Sequence, residues 1–275
     1  MREGFTRLFH KFFADRGPHL AAMVAYFALL SFVPLVFLAL ALLGLAGRAD
    51  ESSFFVTELT HMFPGSSVRR IVDVVETLQE NAVALGAVGG AFLLWTSLSL
   101  FSVLESAFNI VYGQPNRPFL KGKAIASALL VGSLILLFAG LVAGSIGFEV
   151  VKRYAGWVAD SDVLAYTVSV AVSTVAVFAF LVVTYYVLTN VAHTFVEVLP
   201  GAVLGAVLLQ LTFQALPVYL RLSGDLVTLQ ALGAPVILLV WLYVMANVIV
   251  LGAEVNWWLS RGRRELRADE VPGLA

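Results

Sequence analysis

Six long apolar runs constrain the fold of this chain more than any other feature of the sequence. They cover roughly 20–46, 83–104, 124–147, 163–188, 198–220 and 232–258. About 20 mainly apolar residues in a helix cross the ~30 Å hydrocarbon core of a bilayer, and a helix satisfies its own backbone hydrogen bonds in lipid. The sequence therefore predicts an all-α polytopic membrane protein with six transmembrane helices, forming a single transmembrane domain over residues 1–275.

The composition agrees with a membrane protein. Hydrophobic residues make up 60% of the 275-residue chain and charged residues only 13%, whereas roughly 25% of the residues in a soluble domain are charged. The sequence has no cysteine, which excludes disulfides, thiolate metal sites and cysteine nucleophiles. The first apolar run follows a basic stretch but is too long for a signal peptide, so we expect it to be an uncleaved span.

The distribution of basic residues predicts the orientation in the membrane. If the N-terminus is cytoplasmic, the cytoplasmic segments hold eleven Lys and Arg residues and the opposite side holds six. Because cytoplasmic segments are enriched in Lys and Arg, we expect both termini to lie in the cytoplasm. The segment 189–197 does not contribute to this bias, because it contains no basic residue.

The first extracytoplasmic loop, residues 48–82, has the pattern of two amphipathic helices. Apolar residues recur at helical spacing on both sides of Pro64, at Phe55, Leu59, Phe63, Val68, Ile71, Val72 and Val75. Acidic residues occupy many of the other positions. We predict that both helices lie at the outer membrane interface, where they form either a cap on the bundle or a lid over a cavity.

Two carboxylates occur where apolar residues are expected. Glu254 lies within the sixth span and Glu105 at the end of the second, and the predicted topology places both near the cytoplasmic face with Asn109, Arg117 and Asn256. An ionisable group costs ~2.5–3.5 kcal/mol at the bilayer centre and less toward its ends, and it is a functional hypothesis by default. Near the interface, water or Arg117 is expected to neutralise Glu254.

This polar level has two interpretations, and the sequence leaves both open. We predict that Glu105, Asn109, Arg117 and Glu254 form one cytoplasm-proximal cluster. In the structural interpretation, the cluster fastens helices together by an ion pair or by hydrogen bonds at helix ends. In the functional interpretation, it is part of a path for a substrate or an ion.

Further candidate path residues lie on the first and fifth spans. Pro34 is deep in the first span, where it should kink the helix and free a backbone carbonyl one turn earlier. Tyr26 and Ser31 flank this kink and are candidates to use the freed group. Gln210 and Gln214, one turn apart in the fifth span, either line a cavity or bond to a neighbouring helix.

Enzymatic activity finds little support in the sequence. The four histidines, His10, His19, His61 and His193, are isolated and no pair has the spacing of metal ligands. The chain also lacks a GxxxxGK[ST] phosphate loop and a GxSxG nucleophile motif. We therefore expect no catalytic residue, no metal, no cofactor and no nucleic-acid partner. The expected partners are membrane lipids and a small-molecule, ion or lipid substrate, and the sequence does not indicate an oligomeric state.

Four ordered blocks resemble the YihY/BrkB family of bacterial inner-membrane proteins: "AAMVAYFALLSFVPL" (21–35), "WTSLSLFSVLESAFNIVYGQPNRPF" (95–119), "LPGAVLGAVL" (199–208) and "LGAPVILLVWLYVMANVIVLGAEVN" (232–256). The family-like positions are Tyr26, Ser31, Pro34, Trp95, Ser97, Glu105, Asn109, Arg117, Pro200, Gly201, Trp241, Gly252, Glu254 and Asn256. The chain departs from the family pattern at residues 188–198, "LTNVAHTFVEV", which lack the usual proline and arginines.

The resemblance implies six transmembrane helices in the bacterial cytoplasmic membrane and a role in transport or envelope integrity. The family also carries an old label, ribonuclease BN, which has no physical support in these residues. Two hypotheses follow for the chain. It is either a transporter or lipid-handling protein moving a small polar or amphiphilic molecule, or a non-transporting scaffold that maintains envelope integrity.

Overall fold

The computed structural model describes residues 2–45, 56–57, 59–60, 63, 65–80, 82–154, 162–192, 194–225 and 234–270. Eight helices are defined in this part of the chain, and it contains no β-strand. Their bounds are α1 Arg2–Ala14, α2 Gly17–Leu45, α3 Gly65–Glu80, α4 Ala82–Val111, α5 Phe119–Tyr154, α6 Asp162–Leu188, α7 Phe195–Asp225 and α8 Ala234–Glu270. The predicted all-α class is therefore confirmed for the described residues.

Five helices contain a segment long and apolar enough to cross a membrane. These segments are Leu94–Val111 in α4, Phe119–Leu136 in α5, Val170–Leu188 in α6, Phe195–Tyr219 in α7 and Pro235–Ser260 in α8. Helix α2 contributes a shorter apolar segment, Gly17–Phe32. A multi-pass membrane protein follows from these lengths, whereas the count of six spans stays a prediction.

Helix α3 occupies the part of the first loop in which the second amphipathic helix is predicted. Its Val68 is fully buried, while the next two residues, Arg69 and Arg70, are exposed. The first loop helix falls largely outside the described residues, although residues 56–57 and 59–60 are helical. The location of both helices at the membrane surface stays a prediction.

The bundle is built around α2 and α8. Helix α8 packs against α2 and α7, α2 packs against α4, α6 packs against α7, and α4 packs against α5. Helices α7 and α8 approach most closely at Gly201 and Gly252, since a Cβ atom added to Gly201 would overlap the carbonyl oxygen of Gly252. Small residues permit such backbone contact in membranes, where packing replaces the hydrophobic drive.

Helix α2 remains helical through Pro34, the proline inside its span. Ser31 is fully buried and its hydroxyl donates a 2.6 Å hydrogen bond to the carbonyl of Thr96 in α4. This contact differs from the expectation that Ser31 uses a carbonyl freed by Pro34. Tyr26 is 53% exposed, so it lies on the outer surface of α2 and away from the contact that Ser31 makes with α4.

Candidate functional site

Several helix ends meet at one end of the bundle, which we call the α1 end. Side chains connect α1 to α4 and α8, the turn after α4 to the end of α6, and the start of α7 to α8. All of the sequence-predicted acids, together with Asn109, Arg117 and Asn256, lie at this end. They are divided between an Arg117 group and a Lys11 group, each built around one cation.

The Arg117 group joins the turn after α4 to the end of α6. Arg117 Nη1 donates to Glu105 Oε1 at 3.2 Å and to the carbonyl of Leu188 at 2.6 Å. Its Nη2 donates to the carbonyls of Val187 at 3.1 Å and Thr189 at 2.9 Å. The last carbonyls of a helix have no partner within the helix and carry partial negative charge. Arg117 thus caps α6 and neutralises Glu105 at the same time.

Asn109 strengthens the same junction. Its side-chain oxygen accepts a 2.7 Å hydrogen bond from the backbone N–H of Asn190, and its amide nitrogen donates to Asn116 at 3.1 Å. Asn190 in turn donates to the carbonyl of Pro115 at 3.0 Å. Every polar atom in these contacts has a partner that belongs to the protein. The Arg117 group therefore has the features of a structural contact that holds the connection between α4 and α5 against the connection between α6 and α7.

The start of α7 is fixed next to this junction. The backbone N–H of Thr194 donates to Glu197 Oε2 at 3.0 Å, while the N–H of Glu197 donates to the carbonyl of Thr194. The Thr-x-x-Glu spacing and the contact from Glu197 back to the Thr194 N–H are those of a capping box. This capping box explains how "LTNVAHTFVEV" begins a helix without the proline and arginines that the family resemblance leads one to expect.

The Lys11 group joins α1 to the bundle. Lys11 Nζ donates to Glu254 Oε2 at 2.7 Å and to the carbonyl of Val111, the last residue of α4, at 3.0 Å. It also donates to Asp15 in the turn that follows α1. The ammonium lies 4.0 Å from the centroid of the Trp257 ring, within the range of a cation–π interaction. Four groups therefore surround one ammonium, two of them from α8, one from α4 and one from the turn after α1.

The partner of Glu254 differs from the prediction. Water or Arg117 is the predicted neutralising partner of Glu254, whereas Arg117 pairs with Glu105 and Lys11 pairs with Glu254. In the sequence, Lys11 contributes only to the basic bias that predicts topology and is not a candidate site residue. One signal was present, because Leu8, Lys11 and Phe12 fall on one face of α1, and Leu8 and Phe12 are buried.

Two buried polar atoms on α8 lack a hydrogen-bond partner among the described residues. They are Oε1 of Glu254 and Nδ2 of Asn256, both on side chains with 0% exposure. The side-chain oxygen of Asn256, Oδ1, accepts a 2.6 Å hydrogen bond from the backbone N–H of Gly201. Since buried polar atoms are nearly always paired, α8 carries at this level an acceptor and a donor available to a ligand or to water.

The remaining candidate residues lie away from the α1 end. Gln210 accepts a 3.4 Å hydrogen bond from Ser173 of α6, which corresponds to the helix-to-helix alternative in the prediction. Gln214 is exposed on the surface of α7. Among the residues that the structure describes, no group of three or more His, Asp or Glu side chains is arranged to hold a metal ion.

Comparisons with known proteins place these observations in context. A family described as virulence factor BrkB matches residues 8–272. The chain is 28% identical over 269 residues to a UPF0761 membrane protein of Azoarcus sp. (strain BH72), covering 92% of this chain and 62% of that protein. It is also 28% identical over 277 residues to a UPF0761 membrane protein of Azotobacter vinelandii (strain DJ / ATCC BAA-1303), covering 97% and 65%.

A third relative has nearly the length of this chain. The ribonuclease-like protein YfkH of Bacillus subtilis (strain 168) is 22% identical over 271 residues, which cover 96% of this chain and 97% of that protein. The chain thus spans less than two thirds of the length of the two UPF0761 relatives, at 62% and 65%, and almost all of YfkH. No solved structure matches the chain.

Proposed function

The chain belongs to the family described as virulence factor BrkB, and from this premise we propose that it is a transporter or lipid-handling protein of the bacterial cytoplasmic membrane. In this proposal it moves a small polar or amphiphilic molecule, and both of its termini lie in the cytoplasm. The relatives named UPF0761 membrane proteins support a membrane protein without naming a substrate. The residues at the α1 end supply the argument for transport.

Glu254 is the single observation that carries the proposal. It lies within the apolar segment Pro235–Ser260, its side chain is fully buried, and its Oε1 has no partner among the described residues. A carboxylate at this position is costly, and one retained only to fasten helices would be expected to have both oxygens bonded. An incompletely bonded acid next to a cation from another helix supports a role in recognition.

The path that we propose ends at this acid. It runs between α2, α4, α7 and α8, and its cytoplasmic end is the α1 end. The ion pair between Lys11 and Glu254 closes that end in the state described above. Opening it requires Lys11 to leave Glu254, which separates α1 from the bundle without breaking any hydrogen bond within a membrane-spanning helix.

A non-transporting scaffold is the second candidate, and the Arg117 group favours it. The guanidinium makes four hydrogen bonds, to Glu105 and to three carbonyls at the end of α6. The Ser31 hydroxyl likewise makes a hydrogen bond between two helices, α2 and α4. If all polar groups at this level served such fastening, the protein would need no substrate.

Comparison of the two buried acids tests the proposal. A deletion strain is complemented with the wild-type gene, with Glu254→Gln, or with Glu105→Gln, and the metabolites and lipids of each strain are profiled. Yield and melting temperature of each purified variant are measured alongside. Glu254→Gln should retain the wild-type yield and melting temperature, since Lys11 keeps Asp15 and its side chain is 17% exposed, but its profile should match that of the deletion strain.

The matched acid is the control. Glu105→Gln removes the charge that pairs with Arg117, so any change in its profile should follow the loss of folded protein. The transport proposal is rejected if Glu254→Gln loses yield and phenotype in the same proportion, which is the scaffold result. A wild-type profile for stably folded Glu254→Gln would reject it equally.

A further inference from the structure

We infer that the bundle holds a binding site for a primary ammonium group, and that Lys11 occupies this site as an internal ligand. The site consists of the Glu254 carboxylate, the carbonyl oxygen of Val111 and the ring of Trp257. This inference names a chemical class for the substrate and rests on the proposed function. The ligand is an ammonium-bearing molecule, either a free amine solute or a lipid with an aminated headgroup.

The geometry around Lys11 matches the bonding capacity of a primary ammonium. Such a group has three N–H donors and no acceptor, and Lys11 Nζ meets three acceptors, on Glu254, Val111 and Asp15. The ring of Trp257 faces the same nitrogen at 4.0 Å from its centroid. An aromatic face next to a carboxylate is a common way to recognise an organic cation. A quaternary ammonium has no N–H and would leave the Glu254 carboxylate and the Val111 carbonyl without a donor.

Lys11 is on α1, a short helix that packs on the end of the bundle. Helix α1 ends at Ala14 and is joined to α2 by a turn in which Arg16 has φ 59°, a left-handed conformation uncommon for a residue with a Cβ atom. Apart from buried Leu8 and Phe12, α1 exposes Phe9 and Phe13. Asp15 follows the end of α1 directly and bonds to Lys11, so the two leave together, while Glu254, Val111 and Trp257 stay with the bundle.

The site offers a ligand one contact that Lys11 does not use. Oε1 of Glu254 is buried and has no partner among the described residues, whereas Oε2 of the same carboxylate bonds to Lys11. A ligand with a second donor, such as the hydroxyl of ethanolamine, can bond to both oxygens. The unused acceptor thus explains how an amine ligand competes with a lysine that is covalently attached to the chain.

Chemical rescue of a shortened side chain tests this site. Lys11→Ala removes three methylene groups and the ammonium, which together correspond to n-propylamine. Lys11→Cys leaves room for ethylamine, and the wild-type sequence contains no other cysteine. The melting temperature of each full-length purified variant is titrated with n-propylamine, ethylamine and, at the same ionic strength, tetramethylammonium chloride. Lys11→Met, which fills the space without a charge, is the matched control.

We expect n-propylamine to raise the melting temperature of Lys11→Ala saturably, and ethylamine to be the better ligand of Lys11→Cys. Lys11→Met should not respond. Adding Glu254→Gln to either rescued variant should weaken amine binding by about tenfold or more, because a charge-assisted hydrogen bond is lost. Wild type should bind amines more weakly than Lys11→Ala, because Lys11 must first be displaced.

The source of the ammonium is resolved in nanodiscs. If phosphatidylethanolamine stabilises Lys11→Ala relative to phosphatidylcholine and abolishes the n-propylamine response, the ligand is a lipid headgroup. If the n-propylamine response is equal in both lipids, the ligand is a free amine. Amine responses no larger than that of tetramethylammonium in both Lys11→Ala and Lys11→Cys would overturn the inference. That failure leaves the metabolite and lipid profile of Glu254→Gln unaffected, so it is distinguishable from failure of the proposed function.

Discussion

Replacing Arg117 should lower the free energy of unfolding more than replacing any other polar residue at the α1 end. Its side chain is only 11% exposed and that of its partner Glu105 only 6%. Arg117→Met keeps most of the volume but removes the charge and every donor. The variant leaves Glu105 as a buried carboxylate without a cation, and it leaves three carbonyls at the end of α6 without the donors that cap them.

The expected magnitude follows from these contacts. Removing one partner of a buried ion pair costs about 3–5 kcal/mol. The Arg117 group lies at the end of the bundle, where water can reach the freed carbonyls, so we expect the lower part of this range, about 3 kcal/mol. Arg117→Lys should lose about half as much, because a compact ammonium keeps the charge but not the planar fork.

A double substitution separates the cost of the unpaired Glu105 charge from the cost of losing the cap on α6. Glu105→Gln combined with Arg117→Met removes both charges, so the double variant should be more stable than Arg117→Met alone. The free energy of unfolding is measured by titration with denaturing detergent in mixed micelles. A loss below about 1 kcal/mol for Arg117→Met, the level of an exposed ion pair, would refute the reasoning. A double variant less stable than Arg117→Met would refute it as well.

Two further predictions concern helix packing and topology. Gly201→Ala should cost about 1–3 kcal/mol of stability by overpacking, because its Cβ atom would overlap the Gly252 carbonyl. Gly132→Ala, whose Cβ atom meets nothing within 4 Å, should be neutral or stabilising in the same unfolding assay; equal effects at both glycines would contradict the close contact of α7 and α8. Reporter fusions after residues 120 and 265 should report the cytoplasm and fusions near 65 and 155 the outside, whereas the reverse pattern would invert the proposed direction of the path.

Much of the fold was predictable because membrane-spanning helices can be recognised from the hydropathy of the sequence. The predicted spans 83–104, 163–188 and 232–258 overlap segments that are long and apolar enough to cross a membrane, Leu94–Val111, Val170–Leu188 and Pro235–Ser260. The Arg117 group was partly predictable for a similar reason. Glu105 and Arg117 are separated by 12 positions across one short turn, so local geometry alone brings them near each other.

The partner of Glu254 was not predictable from the sequence. Lys11 and Glu254 are 243 positions apart, and the predicted topology places Lys11 and Arg117 at the same membrane depth. Depth alone cannot choose between two cations, because the choice depends on how α1 packs across the ends of α4 and α8. Tyr26 shows the same limit in another form, since position along α2 did not reveal that its side chain faces outward.

The chemistry of the two cations gives a physical reason for the different roles of the two acids. Arginine has a planar fork of donors and holds its charge under all conditions, which suits a contact that bridges several fixed acceptors. Arg117 bonds to Glu105 and three carbonyls in this way. Lysine is a compact ammonium on a flexible stem, and Lys11 reaches Glu254 from a helix outside the bundle. A free amine can reproduce every contact of Lys11 with the bundle but only part of the contacts of Arg117, so exchange with a ligand is chemically available at Glu254 and not at Glu105.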